Sequence, residues 1–169
     1  CLAGGGTAPS DKLQLAGIGV GGQGGGEFYA LSGGNTVVAV CDVDDKRAAD
    51  TFKRFPDAKK YKDFRKMLSE MEQKIDAVLV ATPDHFHAVA VMAALKRKKH
   101  VYCEKPLAHS VHEVRELMKA AKEAGVVTQL GNQGHSSDTI RVFCEWIWDG
   151  AIGQVHTVHA GCACVNSQV

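Results

Sequence analysis

The run Gly19-Val20-Gly21-Gly22-Gln23-Gly24 has the spacing G-x-G-x-x-G and directly follows a short apolar stretch, Leu13 to Ile18. In such a turn the first glycine permits a tight bend. The second lets backbone approach a pyrophosphate. The third allows close helix–strand packing, with the anion at the helix N-terminus. A second frame, Gly17-x-Gly19-x-x-Gly22, also fits, but the later one leaves Ile18 to finish the strand. The next apolar run ends at Asp42, 18 residues after Gly24, near the spacing of about 20 expected for an acid on an adenine ribose. A carboxylate there accepts from ribose hydroxyls and repels a 2′-phosphate, which favours NAD over NADP. The competing reading of Asp42 is a turn residue, since Asp44 and Asp45 follow it. S-adenosylmethionine enzymes use a related glycine turn and acid, and spacing alone does not separate the two.

Two further segments sit just after apolar runs. Ala81-Thr82-Pro83-Asp84-His85-Phe86-His87 follows the run Ile75 to Val80. Thr82 and Pro83 are good chemistry for a helix start. His85 and His87 are two apart, so on a helix they face different ways. A shared metal is not expected, while one of them can face a cofactor cleft. Glu104-Lys105-Pro106 follows His100 to Cys103. A lysine at a strand end beside a bound nicotinamide would feel its positive charge and partial desolvation. Both favour the free amine, the form that can accept a proton. A surface Lys105 paired with Glu104 is the alternative.

In this order and spacing, Gly19-x-Gly21-x-x-Gly24, Ala81-Thr-Pro-Asp-His-x-His87 and Glu104-Lys-Pro-Leu107 resemble the Gfo/Idh/MocA family of oxidoreductases. Gly131-Asn-Gln-Gly-His135 and Gly150-Ala-Ile-Gly153 resemble stretches of a bacterial branch of it. The Glu-Lys-Pro after a strand, together with Thr-Pro-x-x-x-His, separates this family from methyltransferases. The resemblance covers residues 12 to 160. It implies that Gly19, Gly21, Gly22 and Gly24 bind the pyrophosphate and that Asp42 binds the adenosine ribose. It implies that Ala81, Thr82 and Pro83 border the cofactor, with His87 nearby, and that Glu104 contacts the nicotinamide ribose. Lys105 would assist removal of a proton from a sugar hydroxyl. Asn132 and Gln133 would approach the nicotinamide end, on a looser match. The family also implies a longer chain, with a second α/β domain whose open sheet supports homo-oligomers and shapes the sugar site. Its second catalytic cluster, an Asp and a His four residues apart on a helix, would lie beyond Val169. Gly161-Cys-Ala-Cys164 departs from the aromatic, polar pattern expected there.

Positioning these residues requires strands alternating with helices. Strands are expected over 13–18, 36–41, 60–62, 75–81, 100–103 and 126–130, with a final one over 154–165. Helices are expected near 27–31, from an Asp44 cap to Phe55, and from an Asp63 cap through Met71. Further helices are expected over 84–98, over 110–124 closed by Gly125, and from Ser137 or Asp138 to near Gly150. The basic run Lys96-Arg97-Lys98-Lys99 reads as a solvated helix end. This rhythm predicts an α/β fold with a doubly wound, mainly parallel sheet of the Rossmann type, ligands binding outside the carboxyl ends of the strands. The expected organisation is a leader or linker over 1–11, the dinucleotide-binding domain over 12–150, and the first strand of a second α/β domain over 151–169.

The chain has 169 residues, a net charge of +1 and 23% charged residues. It carries no basic field for nucleic acid and no apolar run near the roughly 18 residues that span a bilayer. Its glycines are skewed, 12 of the 18 falling in the first 34 residues, without the three-residue period of collagen. Six cysteines without a C-x-x-C read as reduced and structural. His156, His159, Cys162 and Cys164 form a tempting zinc set. On a strand, however, His159 faces away from the other three, and packing is preferred. Leu2 to Ser10 fit the tail of an export signal or lipoprotein leader, or the edge of a longer chain. The expected location is cytoplasmic, or periplasmic if a signal precedes. Gly25 and Gly26 exceed the needs of the phosphate turn.

The function expected is an NAD-dependent oxidoreductase of sugars or polyols, represented here mainly by its cofactor-binding half and inactive alone. Keto-sugar reduction, redox-neutral NAD-dependent glycoside cleavage and a non-catalytic dinucleotide-binding module are the alternatives.

Overall fold

A computed structural model describes residues 12–161 of the chain. Strands β1 (Gln14–Ile18), β2 (Thr36–Cys41), β3 (Lys59–Tyr61), β4 (Ala77–Val80), β5 (His100–Glu104) and β6 (Thr128–Gly131) form one sheet in the order β3-β2-β1-β4-β5-β6. Every pairing in it is parallel. Helices α1 (Gln23–Leu31), α2 (Ala49–Arg54), α3 (Phe64–Glu70), α4 (His87–Leu95) and α5 (Val111–Ala124) supply the crossovers. The order reverses between β1 and β4, and at such a reversal the loops after the two strands part to leave a crevice.

Alternate residues of each strand feed two cores, as a period of two requires. Val40 and Leu79 pack with Val20, Phe28 and Ala48 on the α1 and α2 side. Ala39, Val78 and Val80 pack with Phe64, Met67, Leu68 and Leu95 on the other. Helix α4 is apolar nearly all round, and six of its nine residues are buried against the sheet, α3 and α5. A helix without a polar face must lie inside.

Capping fixes where helices begin. The Asp63 carboxylate accepts from the Arg65 amide, and the Arg65 side chain bonded to it pulls the carboxyl down to about 2. Ser110 accepts from the Glu113 amide, while the Glu113 carboxylate accepts from the His109 amide and the Ser110 hydroxyl. This reciprocal box opens α5, and Gly125 closes it in the left-handed region. Ser110→Ala is expected to cost about 1 kcal/mol of stability, read as a lower midpoint in urea unfolding with an unchanged slope.

Three expectations need correction. Asp44 does bond the Lys46 and Arg47 amides, but α2 starts only at Ala49, because those bonds tie a preceding turn. The helix expected over 84–98 is a 3₁₀ turn, Asp84–Phe86, followed by α4. Residues 154–161 form no strand, since none of their backbone groups enters a ladder, and 162–165 lie outside the described residues. So do the leader, Cys162 and Cys164.

The chain divides into two compact units, one reaching Gly131 and one starting at Asn132. The second holds a 3₁₀ turn, Gln133–Ser136, and the amphipathic helix α6 (Asp138–Trp148), capped by the Ser137 hydroxyl. No helix among the described residues is long and apolar enough to cross a membrane.

Candidate dinucleotide site

The glycine turn leaves β1 at the sheet's reversal. Gly19 has φ +79, and a Cβ there would lie 2.6 Å from the Ala81 carbonyl oxygen. Its amide bonds the Cys41 carbonyl at 2.9 Å, so the turn is tied to β2 on one side and pressed on β4 on the other. Gly24 sits in the first turn of α1, where a Cβ would meet the Gly19 carbonyl oxygen at 2.1 Å and the Ala81 Cβ at 2.9 Å. These approaches match the frame Gly19, Gly21, Gly24, and they bring the start of α1 onto the end of β1. No acidic side chain of α1 itself occupies that first turn, so none competes locally for its free amides.

Asp42 closes the next side. One carboxylate oxygen accepts from the Gly21 amide at 2.8 Å and the other from the Asp44 amide at 2.9 Å. The negative charge is therefore held at the rim of the turn. Arg47 lies against Gly21 and Gly22. Sequence reasoning missed it, since only the fold brings α2's approach loop beside the glycines.

Gly19, Gly21, Gly24, Asp42 and Arg47 line a cleft of about 640 Å³ that also includes Gln23, Lys62, Ala81, Thr82, Pro83, His85 and Phe86, whereas Gly22 lines a neighbouring recess with Gly25, Gly26 and Thr51. The Thr82 hydroxyl is buried and has no hydrogen-bond partner among the described residues. A cleft at the reversal point, floored by glycines packed too closely on β4 and the Arg47 backbone to admit a side chain, with an orphaned hydroxyl at its wall, fits a dinucleotide.

Of the two histidines, His85 lines the cleft, whereas His87 turns inward, 1% exposed, with Nδ1 2.5 Å from the Pro106 carbonyl oxygen. Glu104 ends β5 and is 6% exposed; Lys105, the next residue, is exposed. Register places Cys103 beside Val80 and Glu104 beside Gly131. The Glu-Lys-Pro turn therefore leaves the same end of the sheet as Ala81 and Thr82. A Cβ on Gly131 would lie 2.4 Å from a Glu104 carboxylate oxygen, so the glycine makes room for that side chain. Asn132 and Gln133 follow β6 in the chain and begin the second unit.

Cys41 and Cys103 are buried in the sheet. Burial first, then the neighbouring carboxylates of Asp42 and Glu104, push both thiols up to about 12. They pack as apolar groups and are free, as is Cys144. Gly25 also has a packing reason: a Cβ there would strike the Thr51 hydroxyl at 2.5 Å and the Val20 carbonyl oxygen at 2.7 Å, two groups that bond each other. Gly26 has no atom within 4 Å of its Cβ position.

Residues 13–132 match the model of the GFO_IDH_MocA oxidoreductase family, described as an NAD-binding Rossmann fold. An inositol 2-dehydrogenase of Rubrobacter xylanophilus is 32% identical over 148 residues, 85% of this chain and 42% of its own. A 2,7-anhydro-N-acetylneuraminate hydratase of Escherichia coli K12 is 39% identical over 85 residues, 50% of this chain and 23% of its own. The crystal structure of myo-inositol 2-dehydrogenase from Lactobacillus plantarum superposes with a TM-score of 0.74 at 26% identity, covering 85% of this chain and 43% of that one. The chain thus spans less than half the length of these relatives.

Proposed function

The chain belongs to the Gfo/Idh/MocA oxidoreductase family and is its NAD(P)-binding Rossmann domain, and from that premise we propose the cofactor-binding half of an NAD-dependent oxidoreductase of sugars or polyols. The observation that carries this reading is the Glu104-Lys105-Pro106 turn at the carboxyl end of the sheet that bears the glycine cradle, with Glu104 buried and Lys105 exposed.

In the proposed reaction the glycine turn holds the pyrophosphate, and Asp42 accepts from the adenosine ribose hydroxyls. Ala81, Thr82 and Pro83 border the cofactor, Glu104 meets the nicotinamide ribose, and Asn132 and Gln133 approach the nicotinamide end. The nicotinamide, when bound, supplies the hydride acceptor. Lys105 takes the hydroxyl proton of the substrate as the carbon's hydride departs, leaving a ketone and a protonated amine. In the reverse direction Lys105 returns the proton to the new hydroxyl. The whole protein, in this reading, carries a second domain that shapes the sugar site and assembles as a homo-oligomer.

NAD is the proposed partner because the Asp42 carboxylate, fixed by two backbone amides at the end of β2, would repel a 2′-phosphate brought to the adenosine ribose. Fluorescence titration of this chain is expected to give a Kd for NADH at least about tenfold below that for NADPH, the effect of one like-charge contact of about 1.4 kcal/mol. Asp42→Ser is expected to erase the gap, because the repelling carboxylate is gone and Arg47 still lines that part of the cleft. Tighter NADPH binding by the unaltered chain would refute the assignment.

The hydratase relative favours one second reading, a redox-neutral reaction in which the hydride is borrowed and returned. Net accumulation of NADH during turnover of the full-length protein supports the dehydrogenase. Turnover without it supports the alternative, and NADH affinity without any turnover supports a binding module.

A further inference from the structure

We propose that His87 is a positioning residue that fixes the Glu104-Lys105-Pro106 turn through a hydrogen bond from its Nδ1–H to the Pro106 carbonyl oxygen. This inference rests on the role proposed above for Lys105.

His87 is the first residue of α4, the helix most deeply embedded in the molecule, and its ring is 1% exposed. A carbonyl oxygen can only accept, so the contact of Nδ1 with it at 2.5 Å puts the ring's proton on Nδ1. The other nitrogen, Nε2, is buried with no hydrogen-bond partner among the described residues. The ring therefore spends its one donor on the turn.

The turn needs that bond. Outside the strand ladders, no other hydrogen bond among the described residues reaches residues 105–108. On its other side Glu104 is seated so closely on β6 that a Cβ at Gly131 would overlap its carboxylate. Lys105 thus leaves the sheet between two anchored neighbours, a buried carboxylate before it and a tethered carbonyl after it. Backbone held at both points fixes the direction of the Lys105 Cα–Cβ bond, and a misplacement of about 1 Å in a reacting group can cost about a hundredfold in rate. An apolar side chain of the same volume would fill the space yet leave the Pro106 carbonyl unpaired.

Two measurements test this. A long-range ¹H–¹⁵N spectrum of this chain is expected to show His87 as the Nδ1–H tautomer; an Nε2–H ring overturns the proposal. In the full-length protein, assayed with myo-inositol and NAD, His87→Leu is expected to lower kcat at least about tenfold while the Kd for NADH moves less than about twofold. His87→Asn, whose amide nitrogen falls near the place of Nδ1, is expected to recover most of that loss, and His87→Gln, whose amide lies farther out, is not. Equal rates in Leu and wild type, or equal losses in Asn and Gln, overturn the proposal, and the Asn–Gln contrast stands even if the Leu variant fails to fold. Lys105→Ala separates the two levels. Normal turnover in it removes the reading of Lys105. Lost turnover in it, beside an unimpaired His87→Leu, removes only the role of His87.

Discussion

Gly24→Ala is expected to weaken NADH binding by about a hundredfold, while Gly26→Ala, two residues along the same helix, leaves it within about twofold. The first substitution places a methyl carbon 2.1 Å from the Gly19 carbonyl oxygen and 2.9 Å from the Ala81 Cβ. Neither neighbour is the free end of a long side chain, so relief requires α1 to back away from β1. Overpacking of this kind costs about 3 kcal/mol, which equals about a hundredfold if it falls on affinity. Part of it will fall on stability, so the melting temperature is to be measured beside the titration. Gly26 has open space where its Cβ would stand. Alanine there removes backbone entropy from the unfolded chain and is expected to stabilise α1 by about 0.5–1 kcal/mol. Equal losses of affinity in the two variants would show that close packing of α1 on β1 is not what builds the cradle.

That contrast also shows where the sequence was readable. The phosphate turn could be placed because its spacing and the apolar runs on either side are local. The packing of Gly25 against Thr51 is not local: Thr51 lies 26 residues further along the chain, and no pattern in the glycine run encodes it. The strands of the sheet centre were legible as uniform apolar runs, because a parallel strand covered on both faces has no polar side to show. The tail over 154–161 has a strand-like composition, yet a strand exists only when a ladder receives it, and composition carries no information about that partner.

The site divides the same way. Gly19, Gly21, Gly24, Asp42, Ala81, Thr82 and Pro83 meet in one cleft because each ends or follows a strand whose neighbours the α/β rhythm already implied. Arg47 joins them only through the fold of the loop before α2. His87 was legible as a residue of the Thr-Pro-x-x-x-His pattern but not as a buried donor. Its direction depends on the 3₁₀ turn Asp84–Phe86, which starts α4 at His87 and presents His85 to the cleft.

The second large effect is expected at Lys105. In the full-length protein Lys105→Ala should lower kcat by about 10²–10⁴-fold, the usual contribution of one general acid–base group. The Kd for NADH should stay within about twofold, since Lys105 is exposed at the end of β5 and does not line the glycine cleft. The cradle, Asp42 and Thr82 are then untouched, so binding and chemistry separate in one variant. Lys105→Arg keeps the positive charge but cannot accept a proton, because a guanidinium stays protonated at any working pH. It is expected to be as slow as the alanine variant, which distinguishes proton transfer from simple charge stabilisation. Small primary amines added to Lys105→Ala should restore part of the rate, rising with amine concentration. An arginine variant that turned over normally would assign Lys105 an electrostatic role. An alanine variant that did so would remove it from the reaction.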